Sequence, residues 1–246
     1  MHELQTTRDQ VACYVTLTYA DENLPENGNL SKRHWQLFAK KLRAKFGPFR
    51  FLMCGEYGSD EHTNRCHFHA ILFGLDFPDQ AFYKKNEHGD PLFTSATLGK
   101  IWAHGTHLIG AVSFDSVSYV AGYINKKING LKAKAHYTRI NKTTGEVYDQ
   151  VPEFALMSRN PGLGKNWIEK FHPEVYPRDE VLVNGKLGCP PDFYDRWYEA
   201  NYPAEMAEIK IKRTRSASKY EEDNCPIRLA VKKKVFTAKY ASYKRK

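Results

Sequence analysis

Strict alternation marks the first segment of the chain with a regular pattern. In VACYVTLTYA (11–20), Cys13, Val15 and Leu17 fall on one side of an extended backbone and Tyr14, Thr16 and Thr18 on the other. That is the period of a strand with one buried face. Turn formers follow in DENLPENGNL. The period then changes in SKRHWQLFAKKLRAKF (31–46), where Trp35, Phe38, Ala39, Leu42 and Phe46 recur at helical spacing behind a Ser31 cap, and Gly47-Pro48 stops the run. Strands are predicted again over 49–58 and 66–75, joined by a polar loop to Arg65. Residues 76–92, with Pro78, Gly89 and Pro91, read as a long excursion. A helix from Thr94 to His104, a fourth strand over 106–115 and a helix over 115–128 complete the first half.

The order strand-helix-strand-strand-helix-strand-helix predicts an α+β fold. It matches the split βαβ, ferredoxin-like or RRM-like pattern: an antiparallel sheet with helices on one face, here followed by a mixed C-terminal extension. The second half is less regular. A hairpin is expected around Lys142-Thr143-Thr144-Gly145, and a tight turn at Asn160-Pro161-Gly162-Leu163-Gly164 should lead into a short helix over 165–171. A second hairpin is expected at Asn184-Gly185, and 192–219 reads as helical. This divides the chain into an α+β domain (1–135), an accessory region packed on it (136–209) and a basic tail (210–246).

Composition excludes several classes. With 41% hydrophobic and 26% charged residues, the chain can form a packed core. No apolar run is long enough for a membrane helix, and MHELQTTRDQ carries no apolar signal core. Five scattered cysteines, an odd number, argue against a disulfide framework and for a reducing compartment.

Charge adds a location. The net charge is +9, yet residues 210–246 alone hold 13 Lys and Arg against 3 Asp and Glu. Two further stretches, 31–46 and 126–142, each carry six basic residues and no acid. Contact with a polyanion, nucleic acid foremost, is the functional reading; solvated helix faces and a solvated tail are the bland one. The candidate contacts are Lys32, Arg33, Lys40 and Lys41, then Lys126 and Lys127, and in the tail Lys232, Lys233 and Lys234.

The chemistry begins at His67-Phe68-His69. Side chains two apart on a strand share a face, so both imidazoles project together while Phe68 enters the core. Convergent imidazoles are half of a divalent metal site. Glu56, at the end of the preceding strand, is the natural third ligand. A rival zinc site would use Cys54, Cys66, His67 and His69, but its spacing is wrong, and Cys66 and His67, adjacent on a strand, face opposite ways. Cys13 and Cys54 read better as small core residues. Tyr119 and Tyr123 lie about 40° apart on one helix face, with Lys126 and Lys127 within about 40° of one or the other. Two phenols and an ammonium can thus address one point. Core aromatics beside a basic solvent edge would give the same spacing.

Together these features resemble the HUH endonucleases, and among them the replication initiation proteins of gokushovirus-type microviruses. The resemblance is carried, in family order over about residues 11–170, by Val15-Thr16-Leu17-Thr18-Tyr19, Leu30-Ser31-Lys32-Arg33, Cys54-Gly55-Glu56-Tyr57-Gly58, His67-Phe68-His69-Ala70, Tyr119-Val120-Ala121-Gly122-Tyr123 with Asn125-Lys126-Lys127, and Ser158 to Gly164. Members usually have a cysteine-rich segment and more helix before the first strand, so a truncated N-terminus is expected here.

The resemblance implies a rolling-circle initiator in the host bacterial cytoplasm, acting on single-stranded DNA at a replication origin with host replication proteins and no membrane. It implies Mn²⁺ or Mg²⁺ on His67, His69 and Glu56, paired nucleophiles Tyr119 and Tyr123, and Lys126 or Lys127 on the scissile phosphate. Two alternatives stay open: a relaxase or transposase with the same chemistry, and a non-catalytic nucleic-acid-binding module of ferredoxin-like fold. The glycine-aromatic RNP1 pattern of the latter is missing. Tyr57, Phe68 and Trp102 are candidates for base stacking, with burial in the core as the stronger expectation.

Overall fold

A computed structural model describes residues 1–58, 65–122, 128, 130–141, 144–176 and 178–243. The chain divides into two compact units, Met1–Glu169 and Lys170–Lys246.

In the first unit the opening alternation becomes strand β1 (Ala12–Thr18), with every second residue, Cys13, Val15 and Leu17, buried. A short α1 (His2–Thr6) precedes it. Helix α2 (Lys32–Phe46) starts where Ser31 accepts a hydrogen bond from the His34 amide and ends at Gly47, whose φ of +83° suits glycine. Strands β2 (Arg50–Tyr57) and β3 (Cys66–Phe73) follow. The stretch expected to be an excursion instead forms a hairpin, β4 (Gln80–Lys85) and β5 (Pro91–Ser95). Its strands escape prediction because β4 is exposed almost throughout and a register shift between Phe82 and Lys84 breaks any alternation. Because Thr94 and Ser95 belong to β5, helix α3 spans only Ala96–Ile101, with Ser95 accepting from the Leu98 amide. Then come β6 (His107–Gly110), α4 (Phe114–Gly122), α5 (Leu131–Tyr137), the hairpin of β7 (Thr138–Ile140) and β8 (Val147–Asp149), β9 (Phe154–Met157) and α6 (Lys165–Val175), the last running through Pro173 beyond the expected end. The β7–β8 hairpin brackets the turn expected at 142–145, of which Lys142 and Thr143 lie outside the described residues.

Seven strands form one sheet in the order β4-β5-β6-β1-β3-β2-β9, and every pair in it is antiparallel. Its centre, β6-β1-β3-β2, is consistent with a split βαβ arrangement. β9, from the region expected to be accessory, is hydrogen-bonded into this sheet as its edge.

Helices cover both faces, contrary to the expectation of one. Trp35, Phe38, Ala39 and Leu42 of α2, with Leu98 of α3, pack on Val15, Leu17, Phe68, Ala70 and Leu72. On the opposite face Val117 and Val120 of α4 meet Leu52, Cys54, Ile71 and Phe73. The physical reason lies in β3: Ala70-Ile71-Leu72-Phe73 is apolar on both sides and cannot leave either to water. Tyr57, Phe68 and Trp102 are all buried core residues, so none of them offers a base-stacking surface.

In the second unit, Asn184 and Gly185, at φ of +50° and +72°, turn β10 (Val181–Val183) into β11 (Lys186–Gly188). The expected helix over 192–219 is two, α7 (Asp192–Asn201) and α8 (Pro203–Ser218), because Pro203 has no amide hydrogen to continue the first and starts the second. A third helix, α9 (Pro226–Tyr243), carries the tail lysines. No helix among the described residues is long and apolar enough to cross a membrane.

Candidate metal centre and tyrosine helix

The register of three strands builds the site. Thr16 of β1 pairs with His69 of β3, and His67 of β3 pairs with Glu56 of β2. Residues paired across antiparallel strands share a face, so Tyr14, Thr16, Glu56, His67 and His69 all project from the side that α4 partly covers.

There they converge. Glu56 Oε1 lies 2.9 Å from His67 Nε2 and 3.0 Å from His69 Nε2, and one ligand atom from each of the three residues falls within 4.8 Å of the others. Glu56 and His69 are buried, and His67 is partly so. Burial would push the Glu56 carboxyl up, but hydrogen bonds and charge from His67 and His69 outweigh it and hold the group at about 2.

The second ring nitrogens fix the tautomers. His67 Nδ1 is 3.0 Å from the Arg65 carbonyl, which can only accept, so Nδ1 carries the hydrogen and Nε2 faces the carboxylate. His69 Nδ1 stands 2.6 Å from the Tyr14 hydroxyl and 3.0 Å from Thr16 Oγ1. A buried carboxylate and two imidazole nitrogens aimed at one point, each imidazole held from behind, is a donor set suited to a divalent cation. Sequence reasoning places Tyr14 and Thr16 on one strand face but gives them no role; only the pairing register reveals their partner.

Tyr119 is half exposed on α4, and its ring stands edge-on to His69 with centroids 5.2 Å apart. Its expected companions Tyr123, Lys126 and Lys127 lie outside the described residues. The zinc alternative does not form: Cys66 is buried in the core on the α2 side of the sheet, and among the described residues the metal-capable cluster is Glu56, His67 and His69 alone. Cys13 and Cys54 are core residues, as expected.

The basic candidates do not gather here. Lys32, Arg33, Lys40 and Lys41 are exposed on α2, which packs on the face opposite the histidines, and Lys32 lies over the Phe154 ring. Lys232, Lys233 and Lys234 are exposed on α9 in the second unit, where Lys232 pairs with Asp223.

The family of replication-associated proteins described by the name ORF2 matches residues 12–128. The chain is 32% identical over 222 residues to the replication-associated protein VP4 of Bdellovibrio phage phiMH2K, an alignment covering 86% of this chain and 64% of that protein. It is 29% identical over 221 residues to the replication-associated protein ORF2 of Spiroplasma virus 4, covering 84% of this chain and again 64% of the relative. The chain thus spans a little under two thirds of each relative's length. No solved structure matches it. The matched stretch contains all of Glu56, His67, His69 and Tyr119, and the chain belongs to this family of phage replication-associated proteins.

Proposed function

We propose that the chain is a rolling-circle replication initiator of HUH type, built on a ferredoxin-like domain, that nicks and rejoins one DNA strand at a phage origin through a 5′-phosphotyrosine. The observation that carries this reading is Tyr119, 5.2 Å from the ring of His69 in a converged Glu56-His67-His69 donor set. Those three residues would hold Mn²⁺ or Mg²⁺, with imidazole ligation favouring Mn²⁺. When bound, such a cation polarises a non-bridging phosphate oxygen and offsets charge in the transition state.

The chain's own residues do the rest. Tyr119 Oη attacks the phosphorus, the P–O3′ bond breaks, and the departing 3′-oxygen takes up a proton. The covalent link conserves the bond energy, so rejoining needs no nucleotide cofactor. Tyr123 serves as the second nucleophile, and Lys126 or Lys127 contacts the phosphate. The exposed lysines of α9 add sequence-independent affinity. The free 3′-OH primes the host polymerase in the bacterial cytoplasm.

The test is nicking of a circular duplex carrying the phage origin, with Mn²⁺, resolved on a denaturing gel. The expected product is a nicked strand whose 5′ end carries the protein. A nicked strand with a free 5′-phosphate would overturn the phosphotyrosine reading.

Tyr14 is assigned a positioning role, since its hydroxyl backs His69 Nδ1. Tyr14→Phe keeps the ring and removes that contact. Mn²⁺ affinity, measured by titration of the folded variant, should fall about 10- to 100-fold. Restoration of nicking by excess Mn²⁺ should follow; unchanged Mn²⁺ affinity would assign Tyr14 to packing.

A further inference from the structure

The β4–β5 hairpin extends the sheet beyond the strands that build the metal centre, and it carries side chains that packing does not explain. Phe82 and Tyr83 are about 60% exposed on the edge strand. Lys84 and Lys85 and the register shift blunt that edge against unwanted pairing, but two exposed aromatics have the opposite effect. Beside them lies a cavity of about 480 Å³ lined by Tyr83, Lys84, Thr94, Thr106, His107 and Leu108. That volume is in the range of small-ligand sites.

Two features make it a built site. The Ser95 amide donates to His107 Nε2 at 3.0 Å, so the His107 hydrogen sits on Nδ1, available to an acceptor. Gly99 leaves that edge of the ring uncovered: a Cβ there would stand 3.2 Å from His107 Cε1 and 3.7 Å from Nδ1. Burial lowers the His107 pKa, which favours the neutral ring.

Its position ties it to the proposed chemistry. Thr16 pairs with His69 on one side and with Leu108 on the other. Phe93 pairs with Ile109, which sets Thr94 opposite Leu108. Thr94, Leu108, Thr16 and His69 therefore form one row across the sheet, and Leu108 is two strands, about 10 Å, from His69.

We infer that this cavity takes one unpaired nucleobase of the DNA strand flanking the reacting phosphate. Tyr83 supplies the stacking surface, His107 Nδ1–H and the threonine hydroxyls meet the base edge, and Lys84 meets a phosphate. The acids of the hairpin tip, Glu87 and Asp90, disfavour a site for bare phosphate and favour recognition of the base. The inference rests on the single-stranded DNA substrate proposed above.

The test is equilibrium binding of a fluorescent single-stranded 20-mer to the full chain without added metal, so that cleavage does not enter. Tyr83→Ala should weaken binding roughly tenfold, the usual loss of one stacked base, and Tyr83→Phe should restore it. Gly99→Ala suits a helix better than glycine and should still weaken binding severalfold by crowding His107. Leu182→Ala, at an exposed apolar position of the second unit, controls for nonspecific loss. An oligonucleotide carrying 5-iodouracil should photocrosslink to the 80–85 peptide. Binding unchanged in both Tyr83→Ala and Gly99→Ala, or no single-strand binding at all, overturns the inference. Nicking with Tyr83-independent binding removes this subsite alone; Tyr83-dependent binding without nicking keeps the subsite and removes the nuclease reading.

Discussion

Replacing His67 and His69 together by alanine is expected to reduce Mn²⁺-dependent nicking by about 10³-fold or more, the scale of several kcal/mol of electrostatic stabilisation. Both Nε2 atoms lie within 3.0 Å of Glu56 Oε1, so the double variant removes two donors and strands a buried carboxylate. An uncompensated buried charge costs about 3–5 kcal/mol, so the variant should also melt earlier. Adding Glu56→Gln in the same background removes that charge and should recover stability without recovering cleavage. That separates chemistry from folding. Chelation of the parent should match the variant, and Mn²⁺ should rescue the parent alone. DNA binding should largely survive, because the basic candidates on α2 and α9 lie away from the histidine face or in the other unit. Full cleavage by the His67→Ala, His69→Ala variant would contradict the metal assignment.

The second large effect concerns the tyrosines. Phe in place of Tyr119 keeps the ring beside His69 and removes only the nucleophilic oxygen. If Tyr123 reaches the same phosphate, as its spacing of about 40° along the helix predicts, each single Phe variant should retain some first-strand nicking with rejoining or repeated turnover impaired. The Tyr119→Phe, Tyr123→Phe double variant should form no covalent adduct while its melting temperature stays near that of the parent. Normal cleavage by the double variant would point to water as nucleophile and to an ordinary metal-dependent nuclease.

Much of the site is legible before any coordinates. A strand of period two forces His67 and His69 onto one face, and a short connection puts the preceding strand's Glu56 beside them; few folds could separate those three residues. What is not legible depends on register and on exposed or doubly buried segments. Tyr14 and Thr16 are ordinary strand residues until the pairing of Thr16 with His69 is known. The second helix layer escapes a sequence reading that gives β3 a single core, because Ile71 and Phe73 belong to the face that α4 covers. The β4–β5 hairpin offers no hydrophobic contrast because β4 buries almost nothing. Charge is the least directional signal: the basic run of 31–46 is real, but helical geometry sends its apolar side to the sheet and its lysines to the solvent behind the face that carries the histidines.

The most direct test of the central claim is peptide mapping of the trapped protein–DNA adduct. The full chain is incubated with an origin oligonucleotide and Mn²⁺, denatured, digested and sequenced by mass spectrometry. The account predicts a nucleotide-modified tyrosine at position 119 or 123, on or directly after α4. An adduct on another tyrosine, such as Tyr137 or Tyr148, or cleavage with no adduct at all, would contradict it.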